Sequence, residues 1–129
     1  MLRIGVDLIE VERVERAMAR HGERFFARFF TPGERAEANG SPSRLAARIA
    51  AKEAAAKALG TGIGDVCWVD IELRGDARGG PHLVLHAEAN RLACELGLHT
   101  WQVSLSHTHQ HAIAFVVALG ESQRPESAP

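Results

Sequence analysis

Arg48-Ile49-Ala50-Ala51-Lys52-Glu53-Ala54-Ala55-Ala56-Lys57 consists almost wholly of strong helix formers. No glycine or proline interrupts the chain from Ser43 to Leu59, so one long helix is predicted there. At about 100° per residue, Leu45, Ile49, Ala56 and Leu59 share a face, which is expected to be the buried one. Glu53 and Lys57 are four apart and lie one turn above each other on a neighbouring face. The alanines around them leave room for a backbone or a ligand to come close. An acid and a base fixed side by side in this way have two readings. One is an exposed ion pair worth roughly 0.3 kcal/mol. The other is a place for a metal and a phosphate, and the rest of the chain has to decide between them.

The 129 residues suffice for one domain with a real core. Apolar residues at 46% and charged residues at 24% fit a soluble globular chain, and a net charge of -1 gives no global field for nucleic acid. Cys67 and Cys94 have no metal-type spacing and are expected as reduced thiols in or near the core. There is no apolar run long enough for a membrane, and Met1-Leu2-Arg3 leads straight into a strand, so a cytoplasmic protein is expected.

Leu2 to Ile9 reads as that strand. Leu2, Ile4, Val6 and Leu8 alternate onto one face, and Asp7 projects from the other. Aspartate is a poor strand former, so it either caps a turn at the strand end or has another task; Gly5 beside it would let something approach. Glu10 to His21 follows as a helix with Val11, Val14 and Met18 buried. Arg13, Arg16 and Arg20 line the opposite side, with Arg24 and Arg28 continuing the spacing. That line is either a solvated face or a dock for an acidic partner helix. Phe25, Phe26, Phe29 and Phe30 pin the next segment to the core or to a neighbouring subunit. Thr31-Pro32-Gly33-Glu34 fits a capping box that opens a short helix ending near Asn39-Gly40.

The long helix stops at Gly60-Thr61-Gly62-Ile63-Gly64, a loop whose glycines permit close approach of backbone N–H groups to a ligand. Strands are predicted over Val66–Leu73 and His82–Leu85, joined by a loop from Arg74 to Pro81 rich in glycine and arginine. A helix over His86–Leu96 ends at Gly97, and strands follow over Trp101–Ser106 and Ala112–Leu119. Between these, His107, His109 and His111 span a turn. They need not converge on a metal, and a single histidine on a phosphate is the preferred reading. Residues 1–119 form one domain and 120–129 a frayed tail. The order of elements gives an α+β fold, with a mainly antiparallel sheet and helices packed on one side.

Three blocks together carry a resemblance that spans nearly the whole chain. They are Ile4-Gly5-Val6-Asp7-Leu8-Ile9 with its arginine helix, Arg48 to Gly64, and Val103-Ser104-Leu105-Ser106-His107-Thr108. The chain resembles the holo-[acyl-carrier-protein] synthases, the small type of 4′-phosphopantetheinyl transferase. The resemblance implies that family's fold and its reaction: a serine of an apo acyl carrier protein attacks the β-phosphate of coenzyme A, phosphopantetheine is transferred, and adenosine 3′,5′-bisphosphate leaves. It implies Mg²⁺ held by Asp7 and Glu53, and Lys57 at the pyrophosphate, with Glu53 and Lys57 as the catalytic pair. The proton acceptor, Glu53 or a water held by the metal, is left open. Arg48, Lys57, Gly60, Gly62, Gly64 and His107 would bind coenzyme A, and Arg13, Arg16 and Arg20 would dock the carrier protein. A homotrimer with active sites between neighbours, and a place in fatty acid biosynthesis, come from the same resemblance, as does the absence of nucleic acid or membrane partners. Two features depart from the family pattern: the Arg74–Pro81 segment and the extra histidines near His107. The rival readings are another Mg²⁺-dependent phosphoryl transfer on the same carboxylates, and a non-enzymatic carrier-binding module, which would need none of Asp7, Glu53 and Lys57.

Overall fold

The computed structural model describes residues 1–75, 78 and 80–120. Its centre is helix α4, Pro42–Leu59. Ser41 caps its start, accepting a hydrogen bond from the Arg44 N–H at 3.4 Å. Gly60 ends it at φ 79°, a left-handed position that a side chain would strain. The predicted single buried face is a correction. Leu45, Ile49, Ala56 and Leu59 are buried as expected, but so is nearly every residue from Leu45 onward except Glu53 and Lys57. Alanine on every side lets neighbours close in all round, so the helix has no exposed flank to contrast with its core face.

Strand β1, Leu2–Glu10, leads into helix α1, Val11–His21. Helices α2, Glu23–Phe29, and α3, Pro32–Ala38, come before α4. Strands β2, Ile71–Gly75, and β3, Pro81–Leu85, form a two-stranded antiparallel sheet; helix α5, Ala87–Leu96, follows. Strands β4, Leu98–His107, and β5, His111–Gly120, complete a three-stranded antiparallel sheet in the order β1-β5-β4. The fold is α+β, and α4 lies across one face of the larger sheet.

That sheet has two unlike faces. Inward, Gly5 meets α4 so closely that a Cβ would collide with the carbonyl oxygen of Ala54. Ala112, Ala114, Val116 and Ala118 of β5 are buried on the same side. The small residues of strand and helix thus match, and the backbones approach closely. Outward, β1 and β5 pair Leu2 with Leu119, Ile4 with Val117, Val6 with Phe115 and Leu8 with Ile113. Ile4 is 59% exposed and Leu8 61%. The apolar stripe read from β1 therefore faces outward, while the face carrying Asp7 is turned to the helix. Asp7 lies mid-strand opposite Ala114, so it caps no turn.

The capping box of α3 is present: the Thr31 N–H donates to Glu34 Oε1 at 3.1 Å, and the Glu34 N–H donates to Thr31 Oγ1 at 3.2 Å. Phe25 and Phe30 join Val11, Val14, Leu45 and Ile49 in a second core cluster, and Phe29 lies 4.7 Å from the Trp68 ring. The strand predicted over Val66–Leu73 begins only at Ile71. A 3-10 turn over Trp68–Asp70 replaces its first half, because the Asp70 carboxylate accepts the Cys67 N–H at 3.2 Å and caps that turn. Arg74, predicted in a loop, is a strand residue opposite His82. Of that loop, Asp76, Ala77 and Gly79 lie outside the described residues. Gly120, assigned to the tail, is the last residue of β5, and 121–129 lie outside the described residues. Cys67 and Cys94 are free but exposed, contrary to expectation. Cys94 occupies the outer side of α5 next to buried Ala93, and Cys67 precedes the 3-10 turn. Among the described residues, no helix is long and apolar enough to cross a membrane.

Candidate active site

The close approach at Gly5 fixes the site. Two residues further along β1, Asp7 projects toward α4, where Glu53 precedes Ala54 and Lys57 lies one turn on. Lys57 Nζ donates to the Val6 carbonyl at 2.8 Å and to Asp7 Oδ1 at 3.3 Å. The Lys57 side chain is 54% exposed and that of Asp7 is 21% exposed, so the pair is open to an arriving ligand. Asp7 and Glu53 both line a groove of about 420 Å³, with Arg13 on its border and Phe25, Phe29, Ile49 and Trp68 among its apolar walls. Burial holds the Glu53 carboxyl above the ordinary carboxylate range. The charge of Asp7 adds to that rise, and Lys57 works against it.

These residues fit a hard divalent cation. Two carboxylates face one groove, and the Asp7 charge raising the proton affinity of Glu53 is a repulsion that a cation relieves. Among the described residues no three His, Cys, Asp or Glu side chains are arranged around one point. Asp7 and Glu53 would supply two oxygens, which suits Mg²⁺, an ion that usually keeps waters and phosphate oxygens in its shell.

The other predicted ligand residues are elsewhere. Arg48 and His107 line a second groove of about 700 Å³ together with Arg44, Arg74 and Glu37, and none of Asp7, Glu53 or Lys57 borders it. Gly60 ends α4, with Arg3 Nη1 only 2.9 Å from where its Cβ would be. Gly62 and Gly64 face open space, and their loop borders neither groove. Of the arginine line, Arg13 reaches the carboxylate groove, Arg16 pairs with Glu12 at 3.1 Å on the surface, and Arg20 is exposed. His107 ends β4 and His111 begins β5, with the Thr108 N–H donating to the His111 carbonyl at 2.8 Å across the turn.

Sequence reasoning missed what anchors the other side of α4. Lys52 and Glu34 are both 0% exposed. Lys52 Nζ donates to Glu34 Oε1 at 2.7 Å, to the Trp68 carbonyl at 3.0 Å and to the Ile71 carbonyl at 2.5 Å. Glu34 Oε2 accepts the Leu73 N–H at 3.1 Å. Burial lowers the proton affinity of Lys52, and Glu34 opposes that shift. This pair ties α3, α4 and β2 together behind Glu53. Its signal is a lysine among alanines and a capping-box glutamate, and no periodicity links the two.

A family model described as the 4′-phosphopantetheinyl transferase superfamily matches residues 3–116. The holo-[acyl-carrier-protein] synthase of Herpetosiphon aurantiacus is 49% identical over 127 residues, covering 93% of this chain and 100% of that protein. The holo-[acyl-carrier-protein] synthase of Moorella thermoacetica is 50% identical over 129 residues, covering 98% of each. Among solved structures, Helicobacter pylori holo-[acyl-carrier-protein] synthase in complex with coenzyme A is similar at a TM-score of 0.83. It is 30% identical, over 90% of this chain and 99% of that one.

Proposed function

The chain belongs to the 4′-phosphopantetheinyl transferase superfamily, and from that premise we propose how its own residues carry the transfer. The activity is that of a holo-[acyl-carrier-protein] synthase. The 4′-phosphopantetheine of coenzyme A passes to a serine of an apo acyl carrier protein, and adenosine 3′,5′-bisphosphate leaves. The observation that carries the residue assignment is the meeting of Asp7, Glu53 and Lys57 at one groove.

Phosphoryl transfer is mostly positioning and charge neutralisation. Asp7 and Glu53 would hold Mg²⁺, which would neutralise charge on the phosphates. Lys57 turns from Asp7 to the pyrophosphate and meets the negative charge that gathers on the leaving oxygen. The serine oxygen bonds to the β-phosphorus as the bond from that phosphorus to the adenosine side breaks. The proton of the serine passes to Glu53 or to a water that the metal would hold beside it. Arg48 and His107 bind a phosphate of coenzyme A in the second groove, while the Gly60, Gly62 and Gly64 loop borders neither groove and is assigned no contact with the nucleotide. Arg13, at the border of the carboxylate groove, continues through Arg16 and Arg20 into a dock for an acidic carrier helix.

The exposed apolar pairs of β1 and β5 support self-association, and we assign the homotrimer with sites between neighbours from the family resemblance. A contiguous apolar sheet face is an interface signal, and the same face of β4 carries Thr100, Gln102, Ser104 and Ser106 instead.

Intact-mass measurement tests the reaction. Apo acyl carrier protein, coenzyme A, Mg²⁺ and this protein are expected to give a carrier heavier by about 340 Da, the transferred phosphopantetheine. An unchanged carrier mass with several carriers that bind would leave a docking module in its place.

A further inference from the structure

Lys57 is tied to β1 at two points. Its Nζ donates to the Val6 carbonyl at 2.8 Å and to Asp7 Oδ1 at 3.3 Å. The Val6 carbonyl is backbone of a strand paired with β5, so it is a fixed acceptor that does not depend on the aspartate. It keeps the ammonium beside Asp7. The placement comes from the fold: Gly5 lets β1 and α4 close on each other at Ala54, and Lys57 lies three residues further along the helix.

An ammonium on Asp7 weakens the pull of that carboxylate on any other cation. Among the described residues Lys57 makes its ion pair with Asp7 and not with Glu53. Its charge is felt at Glu53 as well, but burial first and then Asp7 outweigh it there. A divalent cation approaching the two carboxylates therefore meets one that is already compensated. The hold on Asp7 is nevertheless weak. The Lys57 side chain is 54% exposed, and an ion pair so open to water contributes little. A phosphate group offers the ammonium more negative charge than one carboxylate does, and Lys57 has the freedom to turn toward it.

We infer that Lys57 is a displaceable counter-ion of Asp7, exchanged for a divalent cation when a phosphate group draws its ammonium away, so that metal and phosphate ligand load cooperatively. The inference rests on the reading that Asp7 and Glu53 hold the cation, and it gives Lys57 a second task before any bond is broken. Its sign follows from linkage. A ligand that takes Lys57 off Asp7 tightens the binding of the other, and each helps the other by the same factor. Its size follows from exposure. A weak pair can be exchanged for only a modest gain, so the coupling is about fivefold and not about a hundredfold.

The test titrates Mg²⁺ into metal-free protein by calorimetry, first alone and then with saturating adenosine 3′,5′-bisphosphate, which carries the leaving phosphate that Lys57 would meet. Lys57→Met is expected to bind Mg²⁺ alone about fivefold more tightly than the unaltered protein does. The lysine is more than half exposed, so the variant spares the fold. In the unaltered protein the nucleotide should tighten Mg²⁺ by about fivefold more than it does in Lys57→Met, which has no ammonium to draw away. Equal or weaker Mg²⁺ binding by Lys57→Met would overturn the inference. So would tighter binding with an unchanged effect of the nucleotide, because a charge that acts at a distance without exchange predicts that pattern. Asp7→Asn supplies the control on the premise. Should it bind Mg²⁺ as well as the unaltered protein does, or should none of the three proteins bind Mg²⁺ with or without nucleotide, the metal pair itself would be wrong.

Discussion

The two grooves bordering α4 are opposite in construction. In the carboxylate groove Asp7 and Glu53 bring like charges together, and Lys57 answers only Asp7 by hydrogen bond. In the arginine groove the guanidinium groups are already tied to Glu37, Glu72 and backbone carbonyls. One place holds a repulsion that Lys57 only partly offsets, and the other holds order. A reaction centre profits from the first, since groups that strain against each other are stabilised when the right charge arrives. A binding site profits from the second, since fixed groups lose less freedom when a ligand binds. One helix thus borders both grooves, and on the proposed reading it separates reaction from recognition along its length.

The largest expected effect breaks the comparison at its reactive side. Glu53→Gln should lower kcat at least about 10³-fold while changing KM for coenzyme A little. EDTA should abolish turnover in the unaltered protein, and Mg²⁺ should restore it. Arg48→Ala should do the reverse, raising KM for coenzyme A more than it lowers kcat. If both variants acted mainly on KM, the division between the grooves would be wrong. Ile4→Glu comes next. It places a charge in the outward apolar pairs, so light scattering should report monomers and activity should fall by about a hundredfold where a neighbour completes the site. A stable trimer in that variant would move the interface elsewhere. Arg13→Glu is smaller still: about a tenfold rise in KM for the carrier protein, with that for coenzyme A unchanged. Equal changes in both would remove the docking line.

The carboxylate groove was named through the family resemblance together with Arg48 and His107 of the arginine groove, whereas Glu37, Arg44 and Arg74 of that groove were not, for a physical reason. Asp7 announced itself by standing in a strand where aspartate is disfavoured, beside a glycine that left room for α4. Glu53 and Lys57 were legible because helical spacing places them one turn apart. The helix itself was plain from composition, but its burial all round was not, because alanine has no amphipathic signature to read. Arg74 was hidden because Glu37 lies 37 residues away in the chain, and that pairing appears only when α3 packs beside β2. The Lys52–Glu34 pair was hidden for the same reason. The outward stripe of β1 was read correctly as an alternation. Which side of an alternating strand meets the core depends on the helix packed there, and here small residues won over large ones.

The smallest effect concerns stability, and the two grooves should respond to pH with opposite signs. Burial pushes the Glu37 carboxyl up, but the Gly75 N–H, Arg74 and Arg48 outweigh it and hold Glu37 below its ordinary value of 4.5. Burial acts on Glu72 in the same way, and Thr31, His86 and Arg74 outweigh it. The unfolded chain therefore takes up protons at these two positions before the folded one does. Their stabilisation is complete above pH 4.5 and is lost as the pH falls through the folded values. Glu53 is the reverse, because its folded value is raised: its ionisation weakens the fold as the pH rises through that value. In metal-free buffer, Glu37→Gln should lower Tm at pH 7 and flatten its decline in acid. Glu53→Gln at pH 7 should leave Tm unchanged or slightly higher, since an uncharged amide no longer repels Asp7. A lower Tm for Glu53→Gln under those conditions would mean that Lys57 stabilises Glu53 more than Asp7 and burial oppose it, and the contrast between the grooves would lose its electrostatic basis.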